Sequence, residues 1–324
     1  MARRLVLGAA LSVTVGAASA CGGDDKAAPT VATPVAPPAL PTPDRPPRSA
    51  DASSPADHRT PERAQDGSRQ ARAAGGILSA ADRASFHRLE ASLGGAQGLA
   101  VSGLGLDKDV EHLGSLQSGA AWSTGKVPVA MAVIAAGGGQ AQQTALTRAI
   151  GASDNAAALR LWSSLGGGQQ AAAATDHQLR AAGDHRTNVE YRSLRDGYTP
   201  FGQTAWRLSD QVRFTAGLAC IQAGKEVLGL MNQVVPSQRW GLGSAGVPAQ
   251  FKGGWGPGAQ PGVGGSYLDR QMGVLLIDGK PLAVALGTRP ADGSHGTGTR
   301  NLTAMARWVV THADVRKVAA RPRC

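Results

Sequence analysis

The sequence predicts an α/β chain of the α+β kind: an antiparallel sheet formed by both chain ends with flanking helices, and an all-helical part inserted between them. Three observations carry this. Two strand-like stretches, residues 98–104 and 110–116, open the foldable region and are joined by a polar turn at Asp107-Lys-Asp109. Two apolar runs, residues 272–277 and 281–286, close it around Asp278-Gly279, and Asp-Gly between apolar runs is a strong hairpin signal. Between them lie segments whose apolar residues recur at helical spacing, separated by glycine clusters.

The 324 residues, 42% of them hydrophobic, suffice for one sizeable globular domain plus extensions. A formal net charge of +10 invites a nucleic-acid reading. The arginines are dispersed, however, and no nucleic-acid motif interleaves them, so no nucleic-acid partner is expected. Part of the excess sits in Arg316, Lys317, Arg321 and Arg323, and residues 319–324 read as a basic tail, solvated or drawn to an anionic envelope. At the other end, Arg3 and Arg4 precede the apolar run 5–20, which reads as a signal peptide over residues 1–20. Ala18-Ser-Ala-Cys21 resembles a bacterial lipobox, after which Cys21 becomes the lipidated first residue. Ala18 stands where leucine is usual, so plain cleavage after Ala20 is the alternative. The run is too short for an ordinary transmembrane helix, and no later stretch approaches 18 unbroken apolar residues.

Residues 21–75 are rich in Ala, Pro, Asp, Arg and Ser, with almost no large apolar side chains. They are expected to form a disordered tether ahead of a folded domain over 76–318. These features predict a monomeric protein exported to the outer face of the bacterial cytoplasmic membrane and held there by a lipid anchor, or secreted without one. That compartment permits a disulfide between Cys220 and Cys324, whose separation in space the sequence does not give. No histidine pairs with another histidine or a cysteine at metal-ligand spacing, so neither a metal nor a cofactor is expected.

Taken in order, folding begins near Ile77. Ser79 can cap a helix in which Phe86, Leu89 and Leu93 recur on one face. After the two strands, Trp122-Ser-Thr-Gly-Lys126 opens the run 127–136, apolar on nearly every side and so a buried helix. Ser123 sits where that helix begins, and Lys126, three residues on, shares its side of the first turn. A lysine among apolar groups loses stability in its charged form, its pKa falls, and it can take a hydroxyl proton. The pair also fits a helix start followed by one snorkelling lysine. Gly137-Gly-Gly139 ends that helix, 143–150 is helical again, and Ser153-Asp154-Asn155 leads into a helix through Leu159, Leu161 and Trp162. Alone, such a triplet is most often a turn or cap.

Residues 200–206 lead into a helix through Val212, Phe214 and Leu218. Phe251-Lys252-Gly253-Gly254-Trp255 puts a lysine on a strand, followed by positions that allow close backbone approach. A glycine-rich loop covers 256–265, and a final amphipathic helix covers 300–312. His295, in Gly293-Ser-His-Gly-Thr-Gly298, reads as the surface of a flexible loop. The glycines around it are no dinucleotide fingerprint, because a loop and not a strand precedes them.

Ser-x-x-Lys at 123–126, Ser-Asp-Asn at 153–155 and Lys-Gly-Gly at 252–254 together resemble, in chain order, the motif set of class A β-lactamases and penicillin-binding proteins. Thr144 to Gly168 looks like the corresponding family segment, and Gly183-Asp184 with Thr187 looks like the start of the family's omega loop. The resemblance spans about 77–315, nearly the whole folded part. It implies a β-lactamase/transpeptidase-like fold and acyl-enzyme chemistry on the amide of a β-lactam or a peptidoglycan-related acyl peptide. Ser123 matches the acylated serine, and Lys126 the residue that shuttles its proton. Ser153 matches the hydroxyl that passes a proton to the departing nitrogen. Asn155 matches the amide that orients Lys126 and the substrate. Lys252 matches the cation that attracts the substrate carboxylate and supports Ser153. The backbone N–H groups of Ser123 and of Trp255, just beyond Gly254, match the oxyanion hole. Arg270, on the following strand, matches a family arginine that helps bind the carboxylate. Trp122 and Trp255 flank these positions, where they shape the cleft or pack the core.

The departures from the pattern bear on turnover. The family's omega loop supplies a glutamate, within Glu-x-x-Leu-Asn, that activates water for deacylation. Here the stretch is Thr187-Asn-Val-Glu-Tyr-Arg-Ser-Leu-Arg-Asp196, and the glutamate position falls near Ser193. Glu190 is the nearest carboxylate and the candidate deacylation base, with a loop-surface pairing to a neighbouring arginine as the alternative. Losing such a base typically slows its step by about 10²–10⁴. Only 30 positions separate Ser123 from Ser153, so the helical part is expected to be shortened and the cleft more open. Gly253 replaces a hydroxyl residue, which removes one hydrogen bond to a carboxylate. Two functions follow from different classes: a serine acyl hydrolase, or an envelope protein that binds or senses β-lactams or peptidoglycan with little turnover.

Overall fold

The computed structural model describes residues 76–258 and 267–324. The expected signal peptide, Cys21 and the tether up to residue 75 lie outside the described residues, as does most of the loop expected at 256–265.

Helix α1 (Ala80–Leu93) starts at Ser79 as expected. The Ser79 hydroxyl accepts the Asp82 N–H while the Asp82 carboxylate accepts the Ser79 N–H, a reciprocal capping box. Phe86 is buried, with Leu89 and Leu93 packed partly buried beside it. Strand β1 (Ala96–Gly103) follows, and then β2 (Glu111–Leu113), shorter than expected. β2 stops because Gly114 takes φ 86° and lies so close to β1 that a side chain there would meet the Gln97 carbonyl.

Strand β3 (Ser118–Ala120) feeds a tight 3₁₀ turn, Trp122–Gly125, and then helix α2 (Lys126–Ala135), buried from Lys126 to Val133 as its apolar composition requires. Helices α3 (Gln143–Gly151), α4 (Asn155–Ser164) and α5 (Gly168–Ala181) complete the inserted part with a later helix. Only α3 separates α2 from Ser153. Beyond the loop after α5 come β4 (Ala205–Arg207), which pairs with β3, then α6 (Leu208–Gly217) and α7 (Gln222–Met231). The core of this half includes Val129, Met131, Ile150, Leu161, Leu179 and Met231.

The chain then returns to the sheet with β5 (Ala249–Pro257), β6 (Tyr267–Ile277) and β7 (Lys280–Arg289). Among the described residues, five strands form one antiparallel sheet in the order β2-β1-β7-β6-β5. Asp278 and Gly279 both have positive φ, 48° and 73°, as a two-residue hairpin turn demands. β1 pairs with β7 from Ala96↔Arg289 to Gly103↔Leu282, so the two chain ends share a sheet as expected. Its alternate residues serve two layers. Leu99, Val101, Val284 and Leu286 pack on α1 and on helix α8 (His295–His312) through Phe86, Leu302 and Met305. Ala100, Ala283 and Ala285, on the other face, are small enough for α6 to lie close through Leu208, Val212 and Ala216.

Two expectations are corrected here. α8 begins at His295, five residues before the expected start, because the Ser294 hydroxyl caps it by accepting the Thr297 N–H. His295 is therefore the first residue of a helix and not part of a flexible loop. Residues 320–324 are exposed, and the segment is fastened at its end, where Cys324 is disulfide-bonded to Cys220 and Arg323 bridges to Gly105. No helix of the described residues is long and apolar enough to cross a membrane.

Candidate active site

The turn carrying Ser123 is built under strain. Trp122 has φ 47°, a left-handed backbone that a bulky residue seldom adopts and that costs about 1–3 kcal/mol. Its indole holds it there, packed on the Tyr198 ring at 5.2 Å and against the backbone of Gly256, where an added side chain would strike the indole. Trp122, Thr124 and Gly125 are buried, while Ser123 is partly open.

Lys126 opens α2 one turn later and is 1% exposed. Its ammonium donates to the Asn155 Oδ1 at 2.7 Å, to the Ser153 Oγ at 3.3 Å and to the Ser153 carbonyl at 2.5 Å. Burial pulls its pKa down to about 7, against a smaller upward pull from the Asp154 carboxylate. Ser153 also has a left-handed backbone, φ 60°. Asp154 next to it caps α4 by accepting the Ala157 N–H and pairs with Arg148, which sets the loop that presents Ser153 and Asn155.

Lys252, on β5, is completely buried and donates to the same Ser153 Oγ at 2.8 Å and to the Gly253 carbonyl at 2.8 Å. Burial and the neighbouring Lys126 hold its pKa well below the ordinary lysine value. While both lysines are protonated they can only donate, so the Ser153 oxygen accepts from both and its own hydrogen is left to donate elsewhere; when Lys126 is neutral its lone pair is free to take a proton. A hydroxyl so placed is equipped to protonate a nitrogen in the cleft.

β5 is the edge strand of the sheet, and its backbone lies directly against the Ser123 turn. A side chain at Gly254 would come within 2.8 Å of the Ser123 nitrogen and 2.9 Å of the Thr124 nitrogen, so only glycine permits this approach. The strand that carries Trp255 is thereby brought beside the Ser123 nitrogen. Gly253 has a separate reason for lacking a side chain. The Trp240 ring lies 2.8 Å from where its Cβ would stand, in the space a hydroxyl residue would need.

Thus Ser123, Lys126, Ser153, Asn155, Lys252, Gly254 and Trp255 form one cluster, and two other expected members do not join it. Arg270 pairs in register with Gly254 but is 1% exposed, and its guanidinium donates to the Gly119, Ala120 and Trp206 carbonyls and to the Gln211 Oε1. It points into the packing against β3, β4 and α6, and so does not serve as a carboxylate-binding arm in the cleft. Burial, with Arg289 nearby, lowers its pKa to about 9. Glu190 is bound by Arg192 through both carboxylate oxygens, at 2.9 and 3.0 Å, and also accepts the Tyr191 and Arg192 N–H groups. The Arg192 hydrogen bond leads the causes that take its pKa to about 2, so it is a loop anchor and a poor base. The start of that loop is ordered by buried Asp184, which accepts the Arg186 and Thr187 N–H groups and the Trp206 indole N–H.

Sequence reasoning missed the groups around the cluster. Asp269 is buried with its pKa raised by burial to about 6, and it pairs with His295 Nδ1 at 2.5 Å. The His295 ring sits among Trp240, Trp255 and Tyr267. Thr124, Gln211 and Trp240 were missed too, since Thr124 fills an unspecified position of its motif, the other two lie in none, and each acquires its role from residues far along the chain. Among the described residues no group of three or more His, Cys, Asp or Glu side chains could hold a metal.

No protein-family model matches the sequence, and no curated protein matches it. Solved structures do match. A class A β-lactamase from Mycobacterium abscessus is 17% identical, with 71% of this chain and 98% of that chain covered at a TM-score of 0.54. A β-lactamase from Chitinophaga pinensis is 14% identical, with 71% and 98% covered and a TM-score of 0.55. A class A β-lactamase described as the last common ancestor of Gram-negative bacteria is 18% identical, with 72% and 99% covered and a TM-score of 0.54. Nearly the whole of each of these proteins is matched by 71–72% of this chain, which has the β-lactamase/transpeptidase-like fold.

Proposed function

We propose that this protein is a serine acyl-transfer enzyme acting on the amide of a β-lactam or a peptidoglycan-related acyl peptide. The observation that carries the reading is the Ser153 hydroxyl, which accepts from two buried lysines, one of them a single turn from Ser123. Neutral Lys126 takes the Ser123 proton as Oγ attacks the carbonyl carbon. The resulting oxyanion is held by the Ser123 and Trp255 N–H groups. Collapse breaks the C–N bond, the departing nitrogen takes the Ser153 proton, and Lys126 returns its proton to Ser153. An ester on Ser123 remains, and water or an amine then cleaves it. Lys252 draws in the substrate carboxylate, unaided by Arg270.

The test is intact-protein mass spectrometry with a penicillin over time, beside Ser123→Ala. A Ser123-dependent adduct that forms and decays as hydrolysed drug accumulates supports a hydrolase. A second reading, a penicillin-binding protein or sensor whose ester persists, is favoured by the capture of Glu190 by Arg192, and it expects a stable adduct. No adduct in either protein would sink both. We propose further that the protein acts at the outer face of the cytoplasmic membrane through lipidated Cys21. Palmitate labelling of expressing cells, lost in Cys21→Ser, tests this.

A further inference from the structure

We infer that Gln211 is a positioning residue for the Ser123 turn, the middle link of a buried chain of hydrogen bonds from Arg270 to Thr124. The chain's geometry stands by itself, and only its catalytic consequence rests on the acyl-serine reading above.

The three links come from distant parts of the sequence. Arg270 on β6 donates from Nη2 to the Gln211 Oε1 at 2.7 Å. Gln211 on α6 donates from Nε2 to the Thr124 Oγ1 at 2.9 Å. Thr124, in the Ser123 turn, donates its hydroxyl to the Ala121 carbonyl at 2.5 Å. Thr124 and Gln211 are wholly buried, and Arg270 nearly so.

Donor chemistry fixes the direction of every hydrogen in the chain. A guanidinium has donors only, so it must face the oxygen end of the Gln211 amide. The amide nitrogen is then forced toward Thr124, whose oxygen accepts, and the threonine hydrogen is left for the Ala121 carbonyl. That carbonyl also takes the Thr124 N–H at 3.1 Å, so both hydrogens of Thr124 close the turn around Trp122 and Ser123. The same guanidinium donates from Nη1 to the Gly119 and Ala120 carbonyls and from Nη2 to the Trp206 carbonyl. One buried cation therefore holds the strand entering the turn, its partner strand and, through Gln211, the turn itself.

The turn needs a brace because Trp122 is held at positive φ between Ala121 and Ser123. Relaxation of that strain would shift the Ser123 nitrogen from its place against Gly254 of β5. Burying a guanidinium against neutral acceptors is itself costly. Four hydrogen bonds offset part of that cost, and the cation imposes a fixed sense of donation that an apolar side chain could not.

Gln211→Glu is the decisive variant. It matches glutamine in shape and keeps an acceptor for Arg270, but it has no N–H for Thr124. It draws the threonine hydrogen to itself and away from Ala121. The expected result is a thermal midpoint within a few degrees of the parent, faster amide hydrogen exchange confined to residues 119–126, and a slower acylation rate constant for penicillin. The slowing should be about 10- to 100-fold, the scale of an ångström-sized misplacement, with the initial binding constant unchanged. Should Gln211→Glu fail to fold, Thr124→Val, which removes only the hydroxyl, is read by the same measurements, with Thr124→Ser expected to restore the parent values. Parent-like exchange across 119–126 in the folded variant overturns the inference, as does parent-like acylation. A parent protein that takes no adduct overturns the acyl-serine reading, and the exchange comparison still decides the role of Gln211.

Discussion

The proposed role of Lys126 as a base requires an uncharged fraction near neutrality, and burial provides one. Its folded pKa of about 7 predicts that acylation rises with pH, by about tenfold per unit well below 7, and levels off above it. A pre-steady-state pH profile checks this. The linked stability effect has a definite sign. Between about pH 7 and 10.5 the unfolded lysine holds more protons than the folded one, so this group makes stability rise with pH across that window. Glu190 gives a contrasting prediction. Glu190→Gln should change the deacylation rate less than about threefold, against the 10²–10⁴ of a working base, because Arg192 already occupies both of its oxygens. Gly253→Thr, which restores the family hydroxyl, should weaken both stability and carboxylate binding, because the Trp240 ring fills that space. Combined with Trp240→Ala it should tighten binding, as read from the concentration dependence of acylation.

At the scale of elements, the site depends on the edge of β5 pressing on the Ser123 turn. Gly254→Ala places a methyl within 3 Å of the Ser123 nitrogen and should slow acylation by about 10² or more, the worth of an oxyanion donor, while the β5–β6 pairing survives. Circular dichroism beside the acylation rate separates the two effects. The strands, the buried helix after Ser123 and the capped helix after Ser79 were legible because their signals are local: alternation, an unbroken apolar run, a cap three residues from its partner. β2 was read too long because the closeness of Gly114 to the Gln97 carbonyl is a contact between strands. α8 was read too short because glycines in its first turn masked a cap at Ser294.

For the whole molecule, the Cys220–Cys324 disulfide closes 104 residues and fastens the chain end to the junction of α6 and α7. Replacing both cysteines by serine should lower the unfolding free energy by about 2–4 kcal/mol, measured by denaturant titration, and leave the acylation rate of the folded protein unchanged. The disulfide was permitted by the inferred compartment. Only the fold brings the two Cα atoms to 5.3 Å.

The sequence by itself determined the fold class and the chain order of the three motifs. Each of these rests on spacing that a helix or strand converts directly into geometry. The tertiary structure decided which charged groups face the cleft. Arg270 sits on a correctly predicted strand, yet its guanidinium is claimed by carbonyls of β3 and β4, about 60 to 150 residues away along the chain. Glu190 lies in the expected loop, yet Arg192 binds it there. Local periodicity sets where a side chain leaves the backbone. What meets it is set by segments distant in sequence, and for a charged group that encounter decides whether it braces the fold or is free to meet a substrate.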